Sequence, residues 1–199
     1  WDVTVTGANE EEVKRRAGML ITTASADVAM KGLRYLLEAV AKLRTERPEV
    51  TLTVIGRPKE GGESARTIAE LGLTDAITFV SGVSDERIVE LYSEAEAAVV
   101  PSLYEGFSLP AIEAMSCAIP LVATTGGAIP EVVGPDGVTA FSVPPGDSEA
   151  LAAKIAWVLD HPDEAAKVGQ AGRQRVIDHW SWRHTAEKTV EQYRALLEK

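Results

Sequence analysis

Glu105 and Glu113 stand eight positions apart in PSLYEGFSLPAIEAMSCAIP, residues 101–120, and this stretch concentrates the side chains best suited to chemistry. Between them lie Gly106, Phe107, Ser108 and Leu109, followed by Pro110. Ser108 suits a helix N-cap and Pro110 a first helical turn, where a missing N–H costs nothing. A helix that begins there aims unpaired N–H groups and the positive end of its dipole at one spot, which suits a phosphate or diphosphate. Each carboxylate offers two acceptor oxygens, enough to hold adjacent hydroxyls of a ribose or hexose. From spacing alone, a solvated loop residue at 105 and a solvated helix residue at 113 account for the pattern equally well.

Further candidates lie in other loops. Lys31, in MKG, is a compact cation placed to meet a diphosphate. Arg57, in GRPKEGG, is either a second cation for the same anion or a surface residue. Val83 to Asp85 read as a loop running into a helix N-cap with acidic first-turn residues. Gly126 and Gly127 permit a close backbone approach to a ligand or a tight strand-to-helix turn, and the glycines do not choose between them. His161, His179 and His184 lack metal-ligand spacing, and no metal site is expected. Cys117, behind Met115 and Ser116, reads as a packed small residue, since no histidine is near it in sequence. Neither a Walker A nor a G-x-G-x-x-G pattern occurs, which argues against ATP hydrolysis and nicotinamide chemistry.

The elements that must position these residues alternate. Strands are expected at MLITTAS, TLTVIG (51–56), ITFVSG, AEAAVVPS, PLVATT and TAFSV. Between them, helices are expected over 31–44, 64–71, 85–93, from Ala111 to Cys117, and near Pro130. In the first of these, Leu33, Leu36, Leu37, Val40 and Leu43 recur at helical spacing. Short apolar strands alternating with helices imply an α/β, Rossmann-like doubly wound parallel sheet of about six strands with helices on both faces. In such sheets ligands sit outside the carboxyl ends of the strands, where the candidate loops should gather. Three helices follow, over 147–159, 162–179 and 181–198, with Trp157, Trp180, Trp182 and Tyr193 expected to anchor them by burial.

The chain of 199 residues is one domain's worth, with 45% hydrophobic and 25% charged residues. A net charge of -10 argues against a nucleic-acid partner and a polybasic membrane surface. It leaves room for an anionic nucleotide held by local N–H groups and a lysine. No apolar run reaches the roughly 18 residues of a transmembrane segment, and no signal-peptide pattern opens the chain. The single cysteine fits a reducing, cytoplasmic setting. Because Trp1 and not Met comes first, an excerpt or processed chain is expected. Residues 1–17 read as a linker or appended segment, and 18–199 as the domain.

EGFSLPAIEAM resembles the E-x7-E signature of retaining glycosyltransferases of family 4 (glycosyl transferases group 1), which have the GT-B fold. KGLRYLLEAVAKL, VSGVSDERIVELYSEAEAAVVPS and PLVATTGGAIPEVVGPDGVTAFSVPPGD are similar to the same family's pattern. The likeness runs from about Leu20 to the C-terminus and points to the C-terminal, donor-binding domain. It implies a UDP-, GDP- or ADP-sugar donor with no metal or other cofactor. It further implies retaining transfer of a hexose to an acceptor held by a separate N-terminal domain, and a final helix that crosses back to that domain.

By the same resemblance, Lys31 meets the donor's phosphates and the Val83 backbone meets the base. The diphosphate would rest on the N–H groups of Gly106 to Leu109, with Glu113 on the ribose and Glu105 on the transferred sugar. Neither carboxylate need be a covalent nucleophile. One departure is plain: the family's arginine shortly before the lysine is absent from TTASADVAM, leaving Arg57 as its candidate replacement. The alternatives are a noncatalytic nucleotide-sugar binding domain completed by a partner half, or a GT-B sugar-nucleotide epimerase or phosphorylase. The expected location is cytoplasmic, with membrane contact only through the other domain.

Overall fold

The computed structural model describes residues 15–24 and 28–198. Its strands are β1 (Arg16–Thr23), β2 (Thr51–Ile55), β3 (Ile77–Val80), β4 (Ala95–Val100), β5 (Leu121–Thr124) and β6 (Phe141–Val143). They form one parallel sheet in the order β3-β2-β1-β4-β5-β6. The order reverses between β1 and β4, so the loops after these two strands flank a crevice of the kind that holds ligands in doubly wound sheets. The helices are α1 (Leu33–Arg44), α2 (Glu63–Glu70), α3 (Asp85–Glu94), α4 (Leu109–Ser116), α5 (Ile129–Val133), α6 (Ser148–Asp160), α7 (Pro162–His179) and α8 (Trp182–Leu197).

Period-two alternation along the central strands builds a core on each face of the sheet. Leu20 and Val99 face one way, packing with Leu36, Leu37 and Val40 of α1 and with Leu151 and Ile155 of α6. Ile21 and Val100 face the other, packing with Tyr92 of α3, Met115 of α4, Ile129 of α5 and Val176 of α7. Each such side chain contributes about 1.5–3 kcal/mol by leaving water. Because every pair of neighbouring strands is parallel, the carboxyl ends of all six share one edge. The loops carrying Lys31, Arg57, Val83 and Glu105 follow β1, β2, β3 and β4 respectively, on that edge.

Two expectations need correction. The first helix does not run unbroken from Lys31. A short 3-10 turn, Ala29–Lys31, precedes Gly32, and α1 starts after it. Gly32 has φ +67°, and a Cβ there would stand 1.9 Å from the Pro101 carbonyl oxygen, so the chain must turn through glycine where the β1 and β4 loops touch. The aromatic anchors also differ from the expectation. Trp182 is 72% exposed, Tyr193 64% and Trp157 39%, and α8 buries none of its residues. Trp180, between α7 and α8, is the partly buried one, donating its Nε1–H to the Val132 carbonyl at 3.1 Å, while α7 is held to the body along its length by buried Ala165, Val168 and Val176. α8 is amphipathic, yet its apolar residues Val190, Tyr193, Leu196 and Leu197 are exposed. Residues 1–14, most of the expected linker, lie outside the described residues, as does Ser25 at the end of the first expected strand.

Candidate functional site

Glu105 is fixed from several directions. The Lys31 Nζ donates to Oε1 at 2.8 Å and the Ser102 hydroxyl donates to the same oxygen at 2.7 Å. The glutamate side chain is 11% exposed and the lysine 29%. Its backbone forms a parallel bridge to Gly127, and the Ala128 N–H donates to its carbonyl at 2.8 Å. The Leu103 N–H donates to Met30 at 2.8 Å, tying the β4 loop to the Lys31 turn. Three loops are thus sewn together around one carboxylate.

The glycines after β5 serve that stitching. A Cβ on Gly126 would stand 2.3 Å from the Leu103 carbonyl oxygen. Gly127 has φ +65°, and its Cβ would meet the Glu105 carbonyl oxygen at 2.4 Å. The close approach these glycines permit is therefore loop against loop.

Ser108 is the N-cap of α4, its fully buried hydroxyl accepting from the Ala111 N–H at 3.4 Å, with Pro110 in the first turn. Among the described residues, the N–H groups of Gly106, Phe107, Ser108 and Leu109 donate no hydrogen bond within the chain. Free N–H groups at a helix start, with a lysine ammonium in the adjoining loop, form an arrangement that attracts an anion. Gly106 has open space where a Cβ would be. Phe107 is 47% exposed and meets Trp180 edge-on with ring centroids 5.4 Å apart.

Glu113 occupies different ground. It lines a cleft of about 300 Å³ together with Phe107, Leu109, Ile112, Ser116, Trp180, Trp182 and Thr185. Burial in this apolar wall, and secondarily the Asp85 carboxylate, push its acid above the ordinary glutamate range. The aromatic part of this wall was not foreseen from the sequence, since α7 and α8 are distant along the chain.

Past β3, Gly82 has φ +69° and Ser84 caps α3 by accepting from the Arg87 N–H at 3.3 Å. The capping reading of Val83–Asp85 therefore holds, and Val83 itself is exposed in the loop. The Arg57 Nε donates to the Ser81 hydroxyl at 3.3 Å, which sets the guanidinium beside this loop, on the strand pair away from Glu105. His161 stacks on Trp157 with centroids 4.3 Å apart, and His179 and His184 meet edge-on at 6.2 Å. Among the described residues no cluster of His, Cys, Asp and Glu is built to hold a metal ion, and no helix is long and apolar enough to cross a membrane.

The family described as glycosyl transferases group 1 matches residues 9–175. An MMP alpha-(1->4)-mannosyltransferase from Mycolicibacterium hassiacum is 47% identical over 174 residues, covering 87% of this chain and 42% of its own length. Sucrose-phosphate synthase from Thermosynechococcus elongatus superposes with a TM-score of 0.78 at 32% identity, over 91% of this chain and 46% of its own. The C-terminal domain of a group 1 glycosyl transferase from Francisella tularensis shares the fold, with a TM-score of 0.75 at 24% identity, over 92% of this chain and 99% of that one. The chain spans about two-fifths of the length of the curated relatives it matches. With the family matched over most of its length and a Rossmann-like GT-B sheet carrying the E-x7-E stretch at the carboxyl edge of its strands, the chain belongs to the glycosyl transferases group 1 family.

Proposed function

We propose that residues 18–199 are the donor-binding domain of a retaining hexosyltransferase that uses a nucleotide-diphosphate sugar without a metal ion. The observation that carries this reading is the set of free N–H groups from Gly106 to Leu109 at the start of α4, with Lys31 on the neighbouring loop. Such an array stabilises negative charge growing on a departing nucleoside diphosphate, which is the main electrostatic demand of glycosyl transfer. Glu105 would hold hydroxyls of the transferred sugar and Glu113 those of the ribose. The Val83 backbone would lie against the base, with Arg57 beside the same loop. The name of the mannosyltransferase relative favours mannose as the sugar moved.

The acceptor would come from an N-terminal GT-B domain. The outward apolar face of α8, with Trp182, Val190, Tyr193 and Leu197 exposed, suits contact with such a domain. By itself the chain should bind nucleotide weakly and transfer no sugar; robust turnover by these 199 residues would contradict that. Calorimetric titration with UDP, GDP and ADP, repeated with Lys31→Ala, tests the reading. Preference for one base, weakened roughly tenfold by the substitution, supports it, in line with a lost charge-assisted hydrogen bond. Binding of none, or binding indifferent to Lys31, counts against it.

A further inference from the structure

Ser102 is 3% exposed, two residues past the end of β4, and its hydroxyl donates to Glu105 Oε1 at 2.7 Å. Its own backbone carbonyl is held by the hydroxyl of Thr124, itself 3% exposed, at the end of β5. The Thr124 oxygen in turn accepts from the Gly126 N–H at 3.4 Å. A buried hydroxyl this constrained has a single orientation that satisfies it. Glu105 Oε1 therefore takes two donors, Ser102 Oγ and Lys31 Nζ, while Oε2 takes no hydrogen bond from any described residue.

We propose that Ser102 is a positioning residue that fixes the rotamer of Glu105 and presents Oε2 as the acceptor for a hydroxyl of the donor's sugar. This rests on the functional reading above and extends it to the atom that meets the sugar. Lys31 cannot do this alone. Its ammonium swings on a flexible stem and would be claimed by the diphosphate when donor binds, whereas the serine's backbone is pinned to the end of β5 through Thr124. With Lys31 drawn toward phosphate, Ser102 is the donor that keeps Oε1 occupied and the carboxylate in place.

The test is a double-mutant cycle with Ser102→Ala and Glu105→Ala, titrating GDP-mannose, UDP-glucose and ADP-glucose against GDP, UDP and ADP. Ser102→Ala should weaken the preferred nucleotide-sugar roughly tenfold while leaving its nucleoside diphosphate unchanged, as expected for loss of a hydrogen bond to a charged group. In the Glu105→Ala background the serine substitution should have no further effect. A merely structural serine would weaken both ligands together, and that result overturns the proposal while leaving the donor-site reading intact. Equal affinity of Ser102→Ala and the parent chain for the nucleotide-sugar overturns it too. If the parent chain binds none of the six ligands, the donor-site reading falls and this proposal falls with it.

Discussion

Lys31 and Glu105 meet across the point where the strand order reverses, one on the loop after β1 and the other on the loop after β4, with Nζ 2.8 Å from Oε1. The pair closes the crevice between two strands that are neighbours in space and far apart in sequence. It depends on a contact beneath it, where Gly32 lets the Lys31 turn lie against Pro101.

Gly32→Ala should therefore damage both fold and site. The residue would keep a left-handed φ, and its Cβ would overlap a backbone carbonyl that has no flexible end to move. A loss of more than about 2 kcal/mol is expected by denaturant unfolding, with nucleotide binding weakened in whatever fraction remains folded. An unaltered midpoint would show that the two loops do not touch as described.

Glu113 makes a pH prediction. Its folded-state acid is weakened by burial and by Asp85, so the native state holds its proton at pH values where the unfolded chain has lost it. The native state then binds more protons than the unfolded one, and stability contributed by this group falls as pH rises from the ordinary glutamate range through the raised value. Glu113→Gln should raise the melting temperature at about pH 7 and lose that advantage below about pH 4. If Glu113 accepts ribose hydroxyls, nucleotide affinity should run the opposite way, falling as the carboxylate is protonated. A melting-temperature difference independent of pH would place Glu113 in water.

Cys117 should be unreactive. It is 8% exposed, and burial pushes its thiol up to about 12, with the Arg173 cation opposing only part of that effect. The thiolate is the reactive form, so labelling by a disulfide reagent at neutral pH should be slow in the folded chain and fast in denaturant. Rapid labelling of the native protein would contradict the packing role.

Trp182 should be dispensable for stability despite its size. At 72% exposure on a helix that buries no residue, Trp182→Ala should cost less than about 1 kcal/mol in thermal unfolding. Trp180→Ala, which loses the bond to Val132 and the contact with Phe107, should cost more. The reverse order would mean that α8 packs elsewhere in solution.

Much of the fold was legible because local signals agreed. The run of Leu33, Leu36, Leu37, Val40 and Leu43 matched the buried stripe of α1, and α7 spans Pro162–His179 as its proline start and the HWSW break implied. Ser108 and Pro110 marked the start of α4 correctly. The tryptophans misled, because size predicts burial only where a partner surface exists, and α8 has none among the described residues. Ser102 was invisible for a different reason. A serine at a strand end carries no chemical signal until the chain brings a carboxylate over it three residues later. The Phe107–Trp180 wall beside Glu113 likewise joins residues with no periodic relation.

The central claim is that a diphosphate rests on the start of α4, and backbone amide NMR shifts on adding the preferred nucleoside diphosphate test it most directly. The account predicts the largest shifts at Gly106, Phe107, Ser108 and Leu109, with the Lys31 side-chain resonances moving alongside. Saturable binding that leaves those amides unmoved and shifts residues elsewhere would contradict it.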